Sequence, residues 1–162
     1  MEREKKNLKM LKEKYLEIQK KYNLPSFKEL NEDFSIEKIV EIETDILIRE
    51  VRKFIAEKLS NYLRFVEMVL HPVNAPIFVF SIIKSVGIEE RKKLEDIYKR
   101  LAKNEIRMIE TDIEFSEEKE ADFIINSYKM WQGVKKELLD IFDKIKKNWD
   151  NKFEVNNKGY FG

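Results

Sequence analysis

The sequence has no cysteine and only one histidine among its 162 residues. The missing thiols exclude disulfides, thiolate nucleophiles and cysteine-ligated zinc. The lone His71 excludes a ferritin-type di-iron centre, which needs two Glu-x-x-His motifs. It precedes Pro72, and as a helix-end histidine it is expected to meet the helix dipole or solvent. Glycine is scarce as well. The four glycines, at positions 87, 133, 159 and 162, cannot build a phosphate-cradling loop or a dinucleotide fingerprint. No serine sits in a nucleophile elbow, so a Ser–His–acid triad has no local support.

Charge of one sign is also lacking. Thirty-two basic residues against 31 acidic ones leave a net charge of +1, so no global field favours nucleic acid or an anionic membrane. The most apolar region, Tyr62 to Val86, is broken by Arg64, Glu67, His71, Pro72, Asn74 and Pro76. It cannot supply the roughly 20 apolar residues of a membrane span. The opening residues Met-Glu-Arg-Glu-Lys-Lys lack the apolar core of a secretory signal. A cytoplasmic location without a membrane partner is expected.

What is present is a globular composition, 43% hydrophobic and 39% charged. The length suits one domain with a sizeable core, expected over residues 1–150, with a tail or small hairpin over 151–162. Plentiful lysine and glutamate, with glutamine only at positions 19 and 132, resemble a thermophile's bias.

The periodicity is helical nearly throughout. Leu8, Leu11, Tyr15, Ile18 and Tyr22 recur at spacings of three and four, a narrow coiled-coil-like seam. Asn23-Leu24-Pro25-Ser26 ends that helix, because a residue before proline disfavours helix, and Ser26 can cap a short turn through Asn31. Ser35 is expected to cap one long helix over residues 36–70, about 52 Å at 1.5 Å per residue. His71 to Gly87 then carries apolar side chains in every direction, with Asn74 as cap, Pro76 in the first turn and Gly87 as a left-handed stop. A helix without a polar face must be covered on all sides, so this one is expected at the centre. A fourth helix spans about Glu89 to Phe115, with Leu94, Ile97, Leu101, Met108, Ile109 and Phe115 in its stripe. Ser116 starts a last one carrying Phe123, Ile124, Trp131, Val134, Leu138, Ile141, Ile145 and Trp149. Gly133 interrupts this helix, as tolerated wobble or a close approach of another surface. Ile-Glu-Thr-Asp-Ile occurs twice, at 42–46 and 109–113, between flanks that do not align.

Acids inside apolar stripes are the most unusual feature. At 100° per residue, Glu43 falls among Ile39, Val40, Ile46 and Leu47, with Glu50 at the margin. Glu105 and Asp112 fall within the Leu94–Leu101–Met108 stripe. Buried carboxylates need partners or a metal. One outcome is internal ion pairs, with Lys84 and Lys135 as available cations. The other is an oxygen-only site for Mg²⁺ or Mn²⁺ built from Glu43, Glu105 and Asp112. Glu117-x-x-Glu120 and Glu137-x-x-Asp140 resemble the paired acidic motifs of all-helical nucleotide pyrophosphohydrolases. Here both pairs fall on one helix, and Asp140 points away from its stripe. Arg52 to Glu67, ending Ser-Asn-Tyr-Leu-Arg-Phe-Val-Glu, resembles a helix of the GINS subunits of replication complexes. That likeness covers one helix without a motif, and no function is taken from it.

A basic face of Lys92, Lys99, Lys103 and Arg107 runs along the fourth helix. Asp96 interrupts it, Glu110 and Glu114 reverse its sign, and it carries no aromatic residue for stacking bases.

The expectation is therefore an all-α fold: an elongated antiparallel bundle of four long helices around one short, fully apolar helix. The expected function is a non-catalytic interaction or scaffold module without a cofactor. It would self-associate near residues 77–86 or through the seam of residues 8–22, as a homo-oligomer or with another protein. The alternatives are a Mg²⁺- or Mn²⁺-dependent hydrolase using Glu43, Glu105 and Asp112, and a weak nucleic-acid binder.

Overall fold

Helical periodicity translates directly into helices. A computed structural model describes the backbone of residues 2–42 and 44–158 and the side chains of residues 6–42 and 44–150. It is an all-α helical bundle, with no strand among the described residues. The helices are α1 (Glu2–Tyr22), α2 (Phe27–Phe34), a 3-10 turn (Ile36–Glu41), α3 (Leu47–Leu70), α4 (Ile77–Ile83), α5 (Ile88–Ile113) and α6 (Glu117–Lys158). No helix among the described residues is long and apolar enough to cross a membrane.

The stops read from sequence act locally as expected. Asn23, at φ 54°, takes the left-handed conformation that ends α1. Ser26 caps α2 in a full capping box: its hydroxyl accepts from the Glu29 N–H, and its own N–H donates to the Glu29 carboxylate at 2.7 Å. At α6 the Ser116 hydroxyl accepts from the Lys119 N–H at 3.1 Å.

Three expectations are corrected. The long helix over residues 36–70 is interrupted. Ser35, at φ 56°, closes α2 through an N–H bond to the Asn31 carbonyl and makes no side-chain cap. The 3-10 turn then stops at Ile42, which is extended, and the Thr44 hydroxyl accepts from the Ile46 N–H just before α3. The repeated pentapeptide thus lies between helices in its first copy and closes α5 in its second. At the other end of the chain, α6 continues to Lys158, so the segment read as a tail or hairpin is helical that far. Residues 159–162 lie outside the described residues.

The third correction concerns the apolar helix. It is not central: α4 is seven residues long, and Val79 is its one buried residue. Its N-cap is Pro76 rather than Asn74, and Gly87 does not take a positive φ. Apolar faces of the longer helices supply most of the buried residues.

Residue contacts divide the chain into two compact units, each discontinuous in sequence. Residues 1–61 and 103–130 form the first, and residues 62–102 and 131–162 the second. Helices α3, α5 and α6 contribute residues to both.

In the first unit, Leu11 and Tyr15 of α1 are buried together with Leu30, Phe34, Ile36, Ile39, Val51, Ile55 and Ile124. The Tyr15 ring meets Phe27 edge-on at 5.5 Å, and its hydroxyl donates to the Pro25 carbonyl at 2.7 Å. The narrow seam of α1 is therefore largely used within the unit.

In the second unit, Val66, Val69, Leu94, Ile97, Leu101, Trp131, Val134, Leu138 and Ile141 form the core. Tyr62 stacks on Trp131 at 4.7 Å, and Phe65 meets Phe142 edge-on at 5.8 Å. Arg100 grips Glu137 with two guanidinium nitrogens and also reaches Asp96 at 2.9 Å. The Arg91 guanidinium donates to the Leu70 carbonyl at 3.1 Å, at the C-terminus of α3.

Candidate functional site

Of the carboxylates that stood out in the sequence, Glu50, Glu105 and Asp112 are tied to this chain's own groups. Arg52 of α3 is buried within the first unit. Its Nε donates to Glu120 Oε2 at 2.7 Å and its Nη2 to Asp112 Oδ1 at 2.5 Å. Glu120 is fully buried, whereas Asp112 is half exposed. Arg49, one turn earlier, places Nε 3.6 Å from Glu120 Oε1 and its guanidinium 3.9 Å above the Phe115 ring. The 3.6 Å separation is an ion pair without a hydrogen bond, and Oε1 has no hydrogen-bond partner. Two arginines against two carboxylates make the cluster formally neutral. Burial pulls the Arg52 pKa down, but the bonds to Glu120 and Asp112 outweigh it and the net direction is upward.

Glu105 lies elsewhere on α5 and accepts from the Ser60 hydroxyl at 2.5 Å. Glu50 pairs locally with Lys53 at 2.9 Å. Glu43 lies outside the described residues, so its place in the proposed metal set has no structural counterpart. Glu105 and Asp112 engage different partners, Ser60 and Arg52. Among the described residues no group of three or more histidine, aspartate or glutamate side chains could hold a metal ion.

The cations on Asp112 and Glu120 are arginines of α3 rather than Lys84 and Lys135. Three of the four acids in the motifs resembling a pyrophosphohydrolase are similarly engaged, and Asp140 is exposed. Glu117 accepts from Lys21 and Tyr22, Glu120 from Arg52 and Glu137 from Arg100. Sequence reasoning did not single out Arg52 or Arg49. Arg52 stands four residues after Ile48 and three before Ile55, squarely in the buried stripe of α3.

A groove of about 520 Å³ in the first unit is lined by residues of α5 and α6. Phe123 and the amide of Asn104 line it, with Arg107, Glu110, Glu114, Lys119 and Asp122 of mixed sign around them. Asn104 is buried and accepts from the Ser127 hydroxyl at 2.8 Å. The basic face of α5 is solvent-exposed at Lys92, Lys99, Lys103 and Arg107. His71 is exposed at the end of α3.

Uncovered apolar surface is the feature without an internal explanation. Ile77 is 87% exposed and Phe78 55%, with Phe80, Val73 and Ile88 also exposed in the same stretch. On α5, Ile106 is 58%, Ile109 50% and Ile113 77% exposed. Ile109 and Phe115 were expected in the core-facing stripe. Ile109 instead turns outward, and Phe115 is partly exposed beneath Arg49.

Compared with known proteins, the chain matches no protein-family model, no curated protein and no solved structure.

Proposed function

We propose that this chain is a non-catalytic helical interaction module that self-associates through the apolar surface of residues 73–88. The observation that carries the reading is the exposure of Ile77 and Phe78 on a helix with a single buried residue. Contiguous exposed apolar surface on a soluble fold marks an interaction site. A net charge of +1 offers little repulsion to a second copy. The other surface considered, the α1 seam, already buries Leu11 and Tyr15 internally, so the α4 stretch is the better contact. The carboxylates carry no second reading, because Glu105, Asp112, Glu117, Glu120 and Glu137 are bound by arginine, lysine or hydroxyl groups of the chain itself. The cytoplasm is its proposed compartment.

Sedimentation equilibrium at micromolar concentration tests the proposal. The wild-type chain should exceed its monomer mass of 19.6 kDa, and Ile77→Glu with Phe78→Glu should weaken that association. Both positions are exposed, so the far-ultraviolet circular dichroism of the double variant should match wild type. A wild-type chain sedimenting only as a monomer would overturn the reading.

A further inference from the structure

A second surface, on α5, goes beyond the contact at residues 73–88 and specifies its own partner and orientation. Ile106, Ile109 and Ile113 recur at spacings of three and four, so they share one face of the helix. All three are at least half exposed. Three β-branched side chains at such spacing form the seam of a helix pair rather than a solvated face.

The flank of this seam changes sign along the helix. Lys103 and Arg107 come first, then Glu110 and Glu114. By helical spacing all four lie on the same side of the isoleucines. Lys103, Arg107 and Glu110 are exposed, and among the described residues none of their side chains has an ion-pair partner. On the opposite flank, Glu105 and Asp112 already accept hydrogen bonds from Ser60 and Arg52, with Asp112 half exposed.

A flank basic at one end and acidic at the other is complementary to itself when reversed. Two parallel copies would instead set this flank against the opposite flank of the second copy, where Glu105 and Asp112 already accept from Ser60 and Arg52, and would form no reciprocal Lys103–Glu110 pair. Two antiparallel copies related by a two-fold axis near residues 106 and 107 interleave Ile106 with Ile109 of the second copy. That register brings Lys103 beside Glu110 of the second copy, and symmetry repeats the pair. The acidic half would repel a nucleic acid, whereas a reversed copy answers Lys103 with Glu110 and Glu110 with Lys103. We propose that α5 forms an antiparallel, two-fold symmetric contact with α5 of a second copy of this chain through Ile106, Ile109 and Ile113. The alternating charges of Lys103 and Glu110 select the antiparallel orientation over the parallel one.

The test is charge reversal and its rescue, in full-length protein carrying Phe78→Glu so that the α4 contact is weakened. Sedimentation equilibrium should show a dimer. Lys103→Glu alone, or Glu110→Lys alone, turns two attractions into two repulsions of the modest size of exposed pairs. Together these amount to about a tenfold rise in the dimer Kd. Combining the two reversals should restore the wild-type Kd, because the pairs re-form with exchanged signs. Ile109→Glu should abolish the dimer, with circular dichroism confirming that the helices persist. A monomer at about 100 μM, single reversals that leave Kd unchanged, or a double reversal that fails to rescue would each overturn the antiparallel contact. The contact at residues 73–88 stands or falls separately, on comparison of the wild-type and Phe78→Glu proteins.

Discussion

Arg52 shows how a single side chain organises its surroundings. It is buried against a fully buried Glu120, so neither charge can be hydrated if the other is removed. Glu120→Gln or Arg52→Ala should therefore destabilise the fold in a urea titration, by less than the roughly 3–5 kcal/mol of an isolated buried pair, because Arg52 keeps Asp112 and Glu120 keeps Arg49. Replacing both by methionine should cost less than the sum of the single changes. A second residue-scale expectation concerns acid. Hydrogen bonds from Lys21 and then Tyr22 hold the Glu117 carboxyl below its usual value of 4.5. A depressed acid adds stability above its unfolded-state value, and that stability is lost as pH falls through the folded-state value. Urea midpoints should thus drop below pH 4.5, and Glu117→Gln should flatten that acid limb. The sequence displayed the acids as misplaced but not their partners. Ile48, Arg52, Ile55 and Leu59 form one stripe, and a cation inside it is as informative as an acid. Glu120 stands four residues before Ile124 in the same relation. What the letters could not provide was which helix faces which.

Helices α1, α5 and α6 were legible from periodicity and end signals, because their apolar spacing runs without a competing conformation. The Ser26 capping box was legible in part. Ser26→Ala should destabilise by about 1 kcal/mol, measured as a shift in the urea midpoint. Gly133 is now explained as tolerated wobble. A Cβ at this position would meet only Arg100 Nη1 at 3.8 Å and Glu137 Oε1 at 3.9 Å, ordinary contacts. Gly133→Ala should therefore stabilise by about 0.5–1 kcal/mol and raise the melting temperature. The break before α3 was not legible. Ile-Glu-Thr-Asp-Ile is helical at the end of α5 yet lies between helices at residues 42–46, so its conformation is set by its surroundings. Helix α4 was misjudged for a related reason. Apolarity all round a helix signals a need for cover, and cover need not come from the same chain.

At the scale of the molecule, each compact unit draws on two separate stretches of sequence. Residues 62–102 meet residues 131–162, so Val66, Leu94 and Ile97 share a core with Trp131, Val134 and Ile141. A chain ending at Met130 retains both stretches of the first unit but loses the later half of the second. Limited proteolysis of such a fragment should cut within residues 62–102 well before residues 47–61, whereas the full chain should resist at both. Equal resistance in the fragment would contradict the division. The same interleaving constrains the order of events on the ribosome. Residues 1–61 emerge before residues 103–130, which complete their unit. At about 5–20 residues per second, the apolar faces of α1 and α3 stay open for seconds before their complement is synthesised. The first unit can therefore close only once residue 130 has left the exit tunnel, and the second only once the later part of α6 has followed.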